Sequence, residues 1–133
     1  MIENVACLAN TKILVVDSNL DARELLKILF ETYDAQPVLA ATAREALARV
    51  KLTQPRLLIS EIKLIDESGY SLIQKVRDWE TGQQTRHVPA IALTVYASSE
   101  DRLRALAAGF CQHITKPYSI SQLLASVVNL IEA

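Results

Sequence analysis

The sequence predicts a doubly wound α/β domain: five parallel strands in the order 2-1-3-4-5, with five helices shared between the two faces. Three observations lead there. Five short apolar runs alternate with five stretches of helical period along the chain. The runs opening at Ile13, Leu57 and Ala90 are apolar on consecutive residues, as strands buried on both faces must be. Parallel neighbours need right-handed helical crossovers, and placing the three most apolar strands centrally gives the order 2-1-3-4-5.

Each element has its own signals. Residues 1–11 read as an N-terminal tail or strand extension, and 12–133 as the domain. Ile13-Leu14-Val15-Val16-Asp17 is the first strand. Ser18-Asn19 can cap the helix that follows, whose apolar face is expected to hold Ala22, Leu25, Leu26 and Leu29. Pro37-Val38-Leu39-Ala40 is a weaker strand, and its proline suits an edge. Thr42 and Glu45 form a capping-box pattern for a helix with Ala43, Ala46, Leu47 and Val50 inward. Gln54-Pro55 ends it.

The third strand, Leu57-Leu58-Ile59-Ser60, finishes on Glu61. A polar loop then runs to Ser68-Gly69, and a helix with Tyr70, Leu72, Ile73, Val76 and Trp79 continues to about Glu80. After the polar stretch 81–87 comes the fourth strand, Ala90-Ile91-Ala92-Leu93-Thr94. Ser98 or Ser99 caps a helix carrying Leu103, Leu106 and Ala107, closed at Gly109. The fifth strand, Gln112-His113-Ile114-Thr115, leads into Lys116-Pro117. Ser119 and Gln122 suggest another capping box, and Ile120, Leu123, Leu124, Val127, Val128 and Ile131 stripe the last helix.

Composition narrows the function classes. At 133 residues the chain fits one domain, a size that buries about two thirds of its unfolded surface. A net charge of −1 offers no basic field for nucleic acid and no polybasic membrane patch. Cys7 and Cys111 match no metal-ligand spacing and read as thiols in a reducing compartment. The first ten residues carry Glu3 where a signal peptide wants positive charge, and no run approaches the ~18 apolar residues of a membrane span. The expected location is cytoplasmic.

In such a sheet all strands deliver their carboxyl ends to one edge. Asp17, Glu61, Thr94 and Lys116 therefore converge, although each alone reads as a cap or a solvated side chain. Two carboxylates beside a lysine and a hydroxyl suit phosphoryl chemistry, with acids for a cation and Lys and Thr for phosphate oxygens.

Taken together, Ile13–Asn19, Leu58–Tyr70, Ala92-Leu93-Thr94 and Ile114-Thr115-Lys116-Pro117 resemble the receiver domain of two-component response regulators, a flavodoxin-like fold. The resemblance implies phosphoryl transfer from a kinase histidine to an aspartate ending the third strand, assisted by magnesium. By position, Asp17 matches the first of the acidic pair, Thr94 the switch hydroxyl and Lys116 the phosphate-contacting lysine. His113 stands where the family usually has a switch aromatic. Tyr96, His113 and Tyr118 fall on the fourth helix, fifth strand, fifth helix face, through which the resemblance implies partner contact or homodimerisation.

Four positions depart from that pattern. Ser18 replaces the second metal-binding acid, Glu61 the phosphoacceptor, Ile65 the loop proline, and Val95 a smaller residue beside the phosphodonor path. Losing a carboxylate weakens a magnesium site, and the extra methylene of Glu61 adds about 1.5 Å of reach. The expected reading is a pseudo-receiver without enzymatic activity. It would work by protein–protein interaction with a histidine kinase, a regulator or an effector domain. No cofactor is expected, or at most weak Mg2+ on Asp17, Glu61 and a loop carbonyl near Lys63.

Two alternatives remain: a phosphorylatable receiver in a phosphorelay, and a small phosphatase-like enzyme. Against the second, Asp17-x-Asn19 lacks the second Asp of the dehalogenase-type motif. Neither cysteine is followed by the arginine a low-molecular-weight phosphatase needs, and no Gly-rich phosphate loop is present. Ser60 is expected to face away from Glu61 and is a poor acceptor. Bland roles suffice elsewhere: helix packing for Trp79, a solvated face for Arg102 and Arg104, and a half-exposed strand position for His113.

Overall fold

A computed structural model describes residues 5–133. The strands are β1 (Lys12–Val16), β2 (Gln36–Ala40), β3 (Leu57–Ser60), β4 (Ala90–Thr94) and β5 (Gln112–Thr115). The helices are α1 (Leu20–Thr32), α2 (Ala43–Thr53), α3 (Gly69–Gln83), α4 (Ser99–Ala108) and α5 (Ile120–Glu132). All strand pairings are parallel, in the order β2-β1-β3-β4-β5.

Alternate side chains of each central strand enter opposite cores, which explains their unbroken apolar runs. Leu14, Val16, Leu58, Ala90 and Ala92 meet buried residues of α2 and α3, and Ala105 of α4. Ile13, Val15, Leu57, Ile59, Ile91 and Leu93 meet Leu26 and Phe30 of α1 and the inner stripe of α5. The N-terminal segment differs from the expected tail or strand extension. Val5–Leu8 forms one 3-10 turn with Leu8 wholly buried, while residues 1–4 lie outside the described residues.

Helix starts follow the expected chemistry. Asn19, Thr42, Ser68, Ser98 and Ser119 are N-caps whose side chains accept a backbone N–H. Only Ser98 makes the complete reciprocal box, with Asp101. At α2 the Glu45 carboxylate reaches the amide of Ala41 rather than that of Thr42.

Several apolar positions face water instead of the core. Leu25 on α1, Leu103 and Leu106 on α4, and Ile120 on α5 are exposed, so α4 buries Ala105 alone. Helix α3 runs past Glu80 to Gln83, and Glu80 itself is buried. Its carboxylate accepts from Arg77 Nη1 at 2.8 Å and from the Val88 amide at 2.6 Å. Arg77 also donates to the carbonyls of Val88 and Gly109. This cluster fastens the end of α3 to the entry of β4 and to the α4–β5 corner, where Gly109 turns at φ +129°.

Candidate functional site

Asp17, Glu61 and Lys116 meet at the carboxyl edge of the sheet. Asp17 follows β1, and its backbone carbonyl accepts from Arg23 of α1 at 2.7 Å. One carboxylate oxygen accepts from the Asn19 amide at 2.9 Å, which turns the chain into α1. The other accepts from Lys116 Nζ at 3.0 Å. Glu61 follows β3; its Oε1 accepts from the same ammonium at 3.2 Å and its Oε2 from the Ile62 amide at 2.5 Å. Lys116 thus bridges two carboxylates, with 23% of its side chain exposed.

Burial alone would lower the pKa of Lys116. The hydrogen bond to Asp17 and the charges of Asp17 and Glu61 outweigh it, so the ammonium titrates above its ordinary value. A pKa raised by folding means the charged form favours the folded state. That contribution is whole below the ordinary lysine value of 10.5 and is lost as pH rises through the folded value. Denaturation midpoints should therefore fall as pH rises past 10.5, and the fall should shrink in Lys116→Met. An equal fall in both proteins would contradict this account.

Ser18 takes a different part from the metal-binding acid expected at its position. Its hydroxyl donates to the Ala41 carbonyl at 2.8 Å and accepts from the Ile65 amide at 3.0 Å. It thereby joins the β2–α2 and β3–α3 loops. Asp66 doubles the tie by accepting from the amides of Ala43 and Arg44 at the start of α2. Burial opposes ionisation of Asp66, but the backbone N–H bonds prevail and lower its pKa. The Asp66 tie escapes a reading of single motifs, because its partners lie 22 and 23 residues away.

Gly69 is where α3 begins against the end of β3. Its amide donates to the Ile62 carbonyl at 2.6 Å, and a Cβ there would stand 2.6 Å from the Glu61 carbonyl oxygen. Ser60 is buried and donates to the Glu61 carbonyl at 2.9 Å.

Thr94 is buried at the end of β4, and its hydroxyl accepts from the Tyr96 amide at 3.3 Å. Val95 is exposed, and so is Tyr96. One expectation needs correction. His113 is buried rather than half-exposed, because α4 covers its face of β5 and its ring reaches the Tyr96 carbonyl at 2.9 Å. Tyr118 is only partly exposed and lies against the α1/α5 core; burial raises its phenol pKa, which neighbouring Lys116 opposes. Cys111 is exposed. Arg104 is exposed too, but stacks 4.2 Å over the Tyr70 ring.

A strand-end acid pair, a bridging lysine and a buried threonine on a 2-1-3-4-5 sheet define a receiver-type signalling domain. The family model for the response regulator receiver domain matches residues 13–128, and the chain belongs to that family of two-component signalling modules. It is 40% identical over 120 residues to the "uncharacterized 14.6 kDa protein in sodA1 3′ region" of Leptolyngbya boryana, covering 90% of this chain and 89% of that one. It is 32% identical over 116 residues to the phosphate regulon transcriptional regulatory protein PhoB of Escherichia coli. That match covers 87% of this chain but 49% of PhoB, so the chain spans about half of that relative's length.

Among solved structures, a CheY-like receiver domain protein from Methanospirillum hungatei superposes with a TM-score of 0.83 at 29% identity, covering 93% and 95% of the two chains. A two-component response regulator from Clostridium difficile gives 0.83 at 28%, covering 92% and 96%. No helix among the described residues is long and apolar enough to cross a membrane.

Proposed function

We propose that this receiver domain signals through protein contacts while Glu61 stays unphosphorylated. The observation that carries the reading is the engagement of both Glu61 oxygens, one by Lys116 and one by the Ile62 amide. The lysine that would meet a phosphoryl group is already held by two carboxylates. Glu61 supplies one negative charge where a phosphoryl group supplies nearly two, so its imitation of the phosphorylated state is partial but permanent. A fixed charge can bias a two-state domain as a reversible one does.

The donor set does not fit magnesium. That ion asks for near-octahedral oxygen ligands. The two carboxylates here are both committed to Lys116, and the Ser18 hydroxyl is spent between Ala41 and Ile65. We therefore assign Asp17 and Glu61 at most weak Mg2+ binding.

The partners that fit this reading are a histidine kinase, another regulator, an effector domain or a second copy of the chain. Exposed Tyr96, Leu103 and Leu106 around α4 supply the apolar contact surface. Incubation of the full chain with radiolabelled acetyl phosphate and Mg2+ is expected to leave Glu61 unlabelled. Stoichiometric acid-labile label at that residue would establish the phosphorylatable alternative instead.

A further inference from the structure

We propose that the cleft at the amino edge of the sheet binds a diphosphate group, either free or carried by a nucleoside. The cleft has a volume of about 520 Å³ and is lined by Asn10, Lys12, Gln54, Arg56, Arg86 and Glu132, among others. That volume is within the usual range for small-molecule sites. Lys12 opens β1, Gln54 and Arg56 lie between α2 and β3, Arg86 lies between α3 and β4, and Glu132 ends α5. The strands deliver Asp17, Glu61 and Lys116 to the opposite edge. The length of chain from Lys12 to Asp17, roughly 16 Å, separates the two places. The cleft therefore does not depend on whether Glu61 accepts a phosphoryl group.

Charge selects an anion. Three cationic side chains share the cleft with one carboxylate, in a chain whose net charge is −1. Among the described residues none of the three is in an ion pair, whereas Lys75, Arg77 and Lys116 all are. Lys12 and Arg86 are exposed. Arg56 is tethered, because its Nη2 donates to the Ile131 carbonyl at 2.7 Å. That bond fixes one arm of the guanidinium against α5 and leaves its other N–H groups without an acceptor among the described residues. Like charges gathered at one opening repel, and an anion seated between them removes that cost.

The arrangement favours a diphosphate over a single anionic group. The cations arrive from three separate places in the chain. Charge spread over two phosphorus centres can meet all of them, where a lone carboxylate meets one. Guanidinium forks match phosphate oxygens two at a time, and the lysine adds a point charge. The rest of the lining suits an organic body. Buried Ile131 and half-buried Cys7 give it an apolar surface. Glu132 and the side-chain amides of Asn10 and Gln54 can bond to hydroxyl and amino groups. Three cations confined to one cleft make no track for a nucleic-acid backbone.

Amide 15N spectra of the full chain test the site, titrated in Mg2+-free buffer with inorganic pyrophosphate, with ADP and with succinate. Pyrophosphate or ADP is expected to give saturable shifts at Asn10, Lys12, Arg56, Arg86 and Glu132, with a dissociation constant below about 1 mM. Amides near Asp17, Glu61 and Lys116 should move little. Lys12→Gln with Arg86→Gln should fold, because both side chains are exposed, and should weaken binding at least roughly tenfold. Glu132→Gln should tighten pyrophosphate, since it removes the one opposing charge. ADP binding more tightly than pyrophosphate assigns a nucleoside diphosphate; otherwise the free anion is the ligand. Succinate should bind at least roughly tenfold more weakly than pyrophosphate, and equal affinity would reduce the cleft to a general charge effect and overturn the proposal. Absence of saturable shifts up to about 10 mM of either phosphate ligand would also overturn it, as would shifts centred on Lys116 or unchanged affinity in the double variant.

Discussion

Glu80→Ala is expected to destabilise the domain by about 3 kcal/mol, near the lower bound for breaking a buried ion pair. Glu80 is 1% exposed and holds two donors, the Arg77 guanidinium and the Val88 amide. Truncation leaves Arg77 without its counter-charge, although it keeps the carbonyls of Val88 and Gly109. The Val88 amide loses its acceptor, and an orphaned buried donor costs about 1–3 kcal/mol by itself. The Arg77 side chain retains 16% exposure, so water relieves part of the charge penalty. Glu80→Gln should be milder, because its carbonyl can still accept from Val88. Urea denaturation checks both variants, and a loss under about 1 kcal/mol in Glu80→Ala would show that the cluster is ornamental.

That cluster also marks a limit of the sequence. A glutamate near a helix end reads as solvated, and the polar stretch 81–87 reads as the place where α3 stops. Glu80 is buried only because the chain folds back to bring Val88 over it and Gly109 beside Arg77. The Arg77/Glu80 spacing of three was the available hint, but it fits an exposed pair equally well. The exposed leucines of α4 have the same origin. Helical period shows that Leu103 and Leu106 share a side, but not whether anything lies against it.

The strands and the strand-end residues were far more legible. A strand buried on both faces has to be apolar throughout, so Ile13–Val16 and Ala90–Leu93 announced themselves and fixed the central positions. Once the sheet is parallel, Asp17, Glu61 and Lys116 have to meet at one edge, and they do. What those groups bond to depends on loop geometry that no local pattern encodes. Ser18 reads as a missing acid, whereas its hydroxyl is a bridge between two loops. His113 lies on an edge strand, and its burial depends on α4, which arrives from a separate part of the chain.

The bridging role of Ser18 alters the expected behaviour of the most informative variant. If the departures at Ser18 and Glu61 account for an inert site, Ser18→Asp with Glu61→Asp should take label from acetyl phosphate in the presence of Mg2+. Wild type and both single variants should remain roughly 100-fold or more behind, since misplacement near 1 Å already costs that much. Glu61→Asp withdraws the carboxylate by about one methylene, ~1.5 Å, which frees it from its 3.2 Å contact with Lys116. One oxygen can then attack phosphorus while the bond to acetate breaks and acetate leaves with the electron pair. Ser18→Asp supplies the second acid for the cation that neutralises the incoming phosphate. It is not cost-free. The new carboxylate can still accept from Ile65 but cannot donate to Ala41, and it repels Asp17 until a cation is bound. The double variant should therefore melt lower than wild type without Mg2+ and recover stability as Mg2+ is added, because a ligand bound only by the folded state stabilises it. Labelling of wild type as readily as the double variant would refute the unphosphorylated reading. A double variant that binds Mg2+ yet stays unlabelled would show that Ser18 and Glu61 are not the whole cause.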